Sequence, residues 1–308
     1  MKQSSKLHDE HVHLRPHGVR PLPPHQLAPM IEAYAARNIV PGIREHAPLP
    51  KAYRLGPDGD YLFCMRDDEV DAFLSQFAGT GIAVGLEVDH IDDFEPETQA
   101  IVNDICARAR ARGIPIGGLT GSVHLIPGRT ADLDLSVNKG GVKHILCDYV
   151  ESVMREHLAD WGARRTIEDY FGAIRRLIAS SFYDVVGHLE VIRKWDRLDA
   201  TGKSTLFGDF EDVYDGELAA TIRLAGEADI LLEYNTAGRD IVLGRPYLSD
   251  DALRLRLHHG VRIALSSDSH LPKHAGRHFD RALATLREVG YREVFAVRDR
   301  QRIAVSIT

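Results

Sequence analysis

Apolar and polar positions along the 308-residue chain alternate between short β-like runs and longer stretches of helical period, the pattern of consecutive βαβ units. Lys6–His13 reads as a first strand. Pro21-Leu22-Pro23-Pro24 then introduces a helix with Leu27, Met30, Ile31, Tyr34 and Ala35 on its apolar face. A second strand runs from Ile39 to His46, followed by a Pro-, Gly- and Asp-rich loop over 47–60. Val70, Phe73, Leu74 and Phe77, spaced by three and four, predict a helix over 67–77. A third strand leads to Glu87. A helix over 95–112 is closed by Gly113 and Pro115, and a fourth strand ends at His124. Residues 125–148 show no period, which points to an insertion. A helix is expected over 149–180, interrupted near Gly162, then a fifth strand ending at His188 and an irregular stretch over 192–210. Beyond it come a helix over 212–227, a sixth strand from Ile230 to Tyr234 that closes on Asn235, a seventh leading to Asp268 and His270, and a helix over 279–289. The rhythm predicts a single α/β domain over 1–308, with insertions near 125–148 and 192–210.

The strand ends carry the candidate chemistry. His11 and His13 stand two apart, and on a strand residues i and i+2 share a face. Further apolar runs lead to His46, Glu87, His124, His188, Asp268 and His270. A barrel of parallel strands gathers its strand C-termini on one face, where such barrels carry their active sites. A lone strand histidine is more often packed or solvated than a ligand; the joint placement is what points to a multinuclear metal centre. His-rich sites with carboxylates and no thiolate suit Zn, Fe or Mn better than Mg or Ca. Glu87, with two oxygens, is the bridging candidate. Asp9 is expected to orient histidines rather than bind metal, while His157, His258, His259 and His278 fall in helical or turn contexts and are expected to be solvated.

Bulk properties narrow the function. The net charge of −7 argues against a nucleic-acid or anionic-membrane partner. Three scattered cysteines (Cys64, Cys106, Cys147) suggest neither a disulfide framework nor a thiolate cluster. No apolar run reaches membrane-spanning length, so a cytoplasmic location is the default expectation. The oligomeric state is open.

Seven segments follow one another in an order that resembles the polymerase-and-histidinol-phosphatase superfamily, most closely its histidinol-phosphatase branch. They are Asp9-Glu10-His11-Val12-His13, Glu45-His46-Ala47-Pro48-Leu49-Pro50, Gly85-Leu86-Glu87, Gly121-Ser122-Val123-His124, Val186-Gly187-His188-Leu189-Glu190, Asn235-Thr236-Ala237-Gly238 and Ser267-Asp268-Ser269-His270. The resemblance spans about residues 7 to 280. It implies a distorted (β/α)7 TIM-like barrel with a trinuclear metal site at the C-terminal ends of its strands. By resemblance one ion takes His11, His13, Glu87 and Asp268, a second Glu87, His124 and His188, and a third His46, His270 and His17. The chain departs from the family pattern at Leu14-Arg15-Pro16-His17-Gly18, which lacks a Cys, and at Glu45, where the family has Asp.

The activity implied is hydrolysis of L-histidinol phosphate to L-histidinol and phosphate by a metal-bound hydroxide, with Glu87, Asp268 and His188 at the reacting centre and two to three divalent transition-metal ions as cofactors. The alternative is another small phosphate ester or an oligonucleotide end. Phosphoryl transfer wants cations around the phosphate; Arg15, Arg66, Arg239, Arg245 and Arg277, with Lys273, lie in loops near the motifs and are the candidates. Asp89, His90 or the 125–148 insertion could receive the substrate's amine and imidazole. A barrel with purely structural metals would be expected to have lost ligands. An amidohydrolase-type barrel would be expected to show a strand-end lysine, and none is present.

Overall fold

A computed structural model describes residues 3–4, 6–16, 22–53, 63–128, 137–139, 142–148 and 150–308. In chain order it contains β1 (Gln3–Ser4), β2 (Leu7–Val12), α1 (Leu27–Ala36), β3 (Ile39–His46), α2 (Val70–Ser75), β4 (Val84–Asp89), α3 (Glu95–Ala111) and β5 (Ile116–Ser122). Then follow β6 (Leu125–Gly128), β7 (Val137–Lys139), β8 (Val142–Leu146), α4 (Glu151–Trp161), α5 (Ala163–Ala179), β9 (Val185–Val186) and α6 (Glu211–Glu227). The chain closes with β10 (Leu231–Asn235), α7 (Asp250–His258), β11 (Ile263–Ser266), α8 (Phe279–Val289), β12 (Glu293–Arg298) and β13 (Gln301–Ser306).

Strands β2, β3, β4, β5, β9, β10 and β11 are neighbours in that order, every pair parallel. The sheet curls until its edges meet: Val12 bridges Ser269, and the His13 amide donates to the Ser269 carbonyl at 2.8 Å. This is the nearly closed seven-stranded barrel that the family resemblance implies, built from the βα units that the rhythm predicts. Helices cover its outside through apolar stripes, such as Ile167, Phe171, Ile174 and Ile178 on α5 and Phe279, Ala282, Leu283 and Leu286 on α8, all buried.

The lower barrel interior is filled by charge. Arg44, fully buried, donates to Glu10 at 2.7 Å, and Glu10 also accepts from Arg298 and the Val297 amide. The guanidinium occupies space that a side chain at Gly85, Gly117 or Gly118 would need, which explains three glycines inside two strands. The β12–β13 hairpin plugs this end, with Phe295, Val297 and Ala304 packed on Val185, Leu231 and Ala264.

Several expectations are corrected. The described part of 125–148 holds regular structure that no sequence period announces: β6, β8 and β7 form an antiparallel sheet, with Leu125 and Leu146 in a satellite cluster beside Leu49, Tyr53, Phe63 and Phe94. The 67–77 helix is shorter, a 3-10 turn over Asp67–Glu69 leading into α2. Strand β4 runs two residues past Glu87 because Val88 and Asp89 still pair with Gly121 and Ser122. His157 is buried rather than solvated, its Nε2 3.0 Å from the Thr166 hydroxyl, because it lies on the inner face of α4. His258 and His278 are exposed, as expected. The 149–180 helix breaks at Gly162, whose φ of +89° favours glycine.

Candidate metal centre

At the C-terminal mouth, six of the residues named from the sequence gather around a seventh, a single carboxylate. Glu87, at the end of β4, is buried and presents its two oxygens to different imidazoles. Oε2 lies 3.2 Å from His11 Nε2, 3.3 Å from His13 Nε2 and 3.1 Å from His46 Nε2. Oε1 lies 2.9 Å from His188 Nε2 and 3.7 Å from His124 Nε2, and accepts the Ser122 hydroxyl at 2.5 Å. Asp268 Oδ1 stands 3.4 Å from His13 Nε2. The Nε2 atoms approach one another as well: 3.1 Å between His11 and His13, and 3.2 Å between His124 and His188.

These separations fit metal ligation. Four ligands held at 2.0–2.1 Å around a tetrahedral ion lie about 3.3 Å apart, the spacing seen here. Ligand-forming groups among the described residues are His11/His13/Asp268, His13/His46/Glu87, His46/Asp89/His124 and Glu87/His124/His188. His270 lines the same cavity, its ring stacked 4.3 Å from that of His13, but joins none of these groups. His17 lies outside the described residues.

Outer carboxylates orient the rings. His11 Nδ1 is 2.7 Å from Glu233, His124 Nδ1 is 2.8 Å from Asp89, and His13 Nδ1 is 3.3 Å from Glu45. An ionised carboxylate only accepts, so each Nδ1 carries the proton and each Nε2 lone pair turns inward, the tautomer a metal requires. Glu45, the longer residue at the Asp position, also accepts the Leu14 and His46 amides. Glu233 accepts the His188 amide as well and so ties the two halves of the site together. Asp9 accepts from Ser267 and Tyr34 and has the His11 amide 3.4 Å away; it orients backbone rather than rings.

The electrostatics favour positive charge. Burial alone would raise Glu87 and Asp268, but His46 and His11 hold Glu87, and His11 and His13 hold Asp268, well below the ordinary carboxylate range. Conversely, burial would lower His11, yet Glu233, Glu87 and Asp268 outweigh it and raise its pKa well above normal. A potential that holds protons on imidazoles would hold cations in their place. Burial lowers His46 well below its ordinary value, Glu87 opposing only in part.

The mouth opens into a cavity of about 310 Å³ lined by His13, His46, Glu87, His124, His188, Asp268 and His270, with Asp148, Lys194, Tyr247 and Arg277 on its walls. Asp148 arrives directly after β8, so the small antiparallel sheet delivers it. Lys194 follows the 3-10 turn over Val191–Arg193 and reaches Asp148 at 3.1 Å. Burial would raise Asp148, but Lys194, His124 and His188 bring its pKa down to about 2.

Of the five arginines named from the sequence, Arg277 lines this cavity; its Nε and Nη2 donate to the Ser267 and Asp268 carbonyls and its Nη1 to Asp240. Arg15 is buried against Glu69 and the Cys64 carbonyl. Arg66 is exposed beside Asp68, Arg239 lies near Tyr234, and Arg245 pairs with Glu190. Asp89 and His90 are buried below the mouth, on His124 and on Asp92, and do not line the cavity. Sequence reasoning passed over Glu233 and Lys194. The first stands two before Asn235 on β10, a charge inside an otherwise apolar run. The second sits six residues after His188 in a stretch with no period.

No family model matches the chain. Over 257 residues it is 26% identical to the Deinococcus radiodurans protein named "Probable histidinol-phosphatase", covering 81% of this chain and 82% of that one. In fold it is similar to a protein from Listeria monocytogenes assigned as a histidinol phosphatase, with a TM-score of 0.67 and 17% identity over 91% of this chain and 99% of that one. It is also similar to the histidinol phosphate phosphatase of Lactococcus lactis, solved with Zn, L-histidinol and phosphate, with a TM-score of 0.61 and 17% identity over 97% and 98% of the two chains. The motif resemblance to the histidinol-phosphatase branch is thus met in both sequence and fold. No helix among the described residues is long and apolar enough to cross a membrane.

Proposed function

We propose that this chain is a metal-dependent phosphomonoesterase that hydrolyses L-histidinol phosphate to L-histidinol and phosphate. The observation that carries the reading is Glu87, one buried carboxylate with five imidazole Nε2 atoms divided between its two oxygens at the mouth of a cavity. His11, His13 and Asp268 would hold one ion with Glu87, and His124 and His188 would hold a second with the same carboxylate; His46, which groups with His13 and Glu87, lies between them, and His270 stands beside it. Divalent ions bound there supply Lewis acidity and a water acidified towards neutral pH.

The chain's own residues do the rest. Lys194 and Arg277 give the cavity two cations, and Lys194 is the freer, with one N–H on Asp148 while three Arg277 nitrogens already donate. Lys194 receives the phosphate as a point charge. Asp148, acceptor-only when ionised, offers the amine or imidazole end of the substrate a partner. Tyr247, Val191 and Leu271 form less polar walls. The volume stands at the small end of the roughly 300–1,000 Å³ usual for small-molecule sites, which suits a compact phosphomonoester. The names of the similar proteins, and the Zn, L-histidinol and phosphate held by the Lactococcus protein, support the same substrate.

A turnover screen of the metal-loaded protein against phosphomonoesters, including histidinol phosphate, sugar phosphates and a short 5′-phosphorylated oligonucleotide, tests this. Histidinol phosphate should be the best substrate, and a strong chelator should abolish its hydrolysis. Preference for another ester would overturn the substrate assignment; turnover indifferent to chelation would overturn the metal reading.

A further inference from the structure

The barrel has one open seam, and a ligand sits on it. Strands β2 and β11 are the two edges of the parallel sheet, joined by the Val12–Ser269 bridge and not by a continuous ladder. Asp268 lies at this seam with a φ of +49°, a left-handed conformation that L-residues other than Asn and Asp seldom adopt. From that backbone position its carboxylate stands 3.4 Å from His13 Nε2, so the turn sets where this oxygen lies.

The surroundings form a buried polar network. Asp9 on β2 accepts the Ser267 amide at 2.9 Å, the Tyr34 hydroxyl from α1 at 2.6 Å, and the Ser267 hydroxyl. Ser267 Oγ lies 2.6 Å from Ser269 Oγ, which donates to the His274 carbonyl at 2.6 Å. Residues 267 and 269, on either side of Asp268, are therefore both pinned. Tyr34, Asp9, Ser267 and Ser269 are all fully buried. None lines the cavity, so none is placed to touch substrate.

We propose that Tyr34, Asp9 and Ser267 are positioning residues: they clamp the seam so that Asp268 keeps its left-handed turn, and they thereby set the affinity of the one ion held by His11, His13 and Asp268. This rests on the metal reading above, and extends it to a device built from a helix and both edge strands. The clamp acts on one ion because its hydrogen bonds end on the backbone around Asp268. The His124/His188 half is held through Glu233 and Asp89 instead.

The test uses Tyr34→Phe, Ser267→Ala and the double variant, which remove hydroxyls while leaving the bulk of each side chain. Metal-stripped protein is titrated with zinc against a chromophoric chelator, and unfolding is followed in parallel. One ion should bind at least about ten-fold more weakly in the double variant, the scale for losing a partner that orients a ligand. The others should be unchanged, and kcat should fall more than KM rises. In a cycle with Asp268→Asn, the double variant should add little to the loss that Asp268→Asn alone produces. Unchanged affinity for every ion would overturn the proposal. So would equal weakening of all ions with a lowered unfolding midpoint, the mark of a general fold clamp. Zinc binding is read without substrate, so failure of the wild-type chain to hydrolyse histidinol phosphate would refute the proposed activity and leave this readout standing.

Discussion

Glu87 concentrates the chemistry at the residue scale, because it presents two oxygens to five imidazoles and its charge would offset the ions proposed there. Glu87→Gln keeps the shape and removes the charge. Metal content per chain should drop, and turnover should fall by more than about 100-fold, the scale for losing a charge-stabilising element. A glutamine variant with wild-type metal content and rate would reduce Glu87 to a packed strand end. Glu233 makes a separate case, since it touches His11 Nδ1 and the His188 amide and stands behind the ligands. Glu233→Gln can still reach the amide but accepts from the ring less strongly. Zinc affinity or activity should fall by about 10- to 100-fold; a variant indistinguishable from wild type in zinc titration would show that His11 is held by its strand alone. His11, His13, His46 and Glu87 were legible in the sequence because strand ends are where a parallel barrel exposes side chains. Glu233 was not, because it sits within the strand, where a charge between Leu232 and Tyr234 carries no end signal.

Long periodic segments translated directly into elements. Helix α8 occupies the predicted 279–289, and β3 ends on His46 as read. What escaped did so for local reasons. The β12–β13 hairpin turns on Asp299 and Arg300, with φ of +51° and +59°, a two-residue turn that sequence usually advertises with Asn-Gly. Helix α7 places Arg256 on its buried face, where Nη2 donates to the Leu232 and Arg262 carbonyls, so its apolar stripe is broken. In β6–β8 the strands are only three to five residues long, too short to show a period. His157 was misplaced because a helical context does not say which face a residue takes: it shares the buried face of α4 with Val153 and Met154, and the consequence is measurable. Burial lowers its pKa to about 4, below the ordinary 6.5 expected in the unfolded chain. The folded state therefore resists protonation, and the stability of the neutral form, present above about pH 6.5, is lost as the pH falls towards 4. His157→Asn should be less stable than wild type by about 1–3 kcal/mol at pH 7. The gap in urea midpoints should narrow by pH 4.5; a gap of constant size would show that folding does not lower the pKa of His157.

For the whole molecule, the barrel brings candidate ligands from six of its seven strands to one end, with Glu233 of β10 behind them, and reserves the other end for the Arg44–Glu10 network and its hairpin plug. Net charge says little about such a site: the chain carries −7 overall, yet the cavity sets Lys194 and Arg277 beside Glu87, Asp148 and Asp268. Binding energy from Asp148 and the cavity walls, spent on the part of the substrate beyond its phosphate, would raise the efficiency of the phosphoryl step by positioning the ester. The most direct measurement is kcat/KM of the metal-loaded protein for histidinol phosphate against a simple aryl phosphate that offers only the phosphate. A ratio of at least about 100 in favour of histidinol phosphate is predicted, roughly 2.7 kcal/mol of differential transition-state binding. Equal efficiencies would contradict the account, because a cavity built for this substrate would then be contributing nothing beyond its metals.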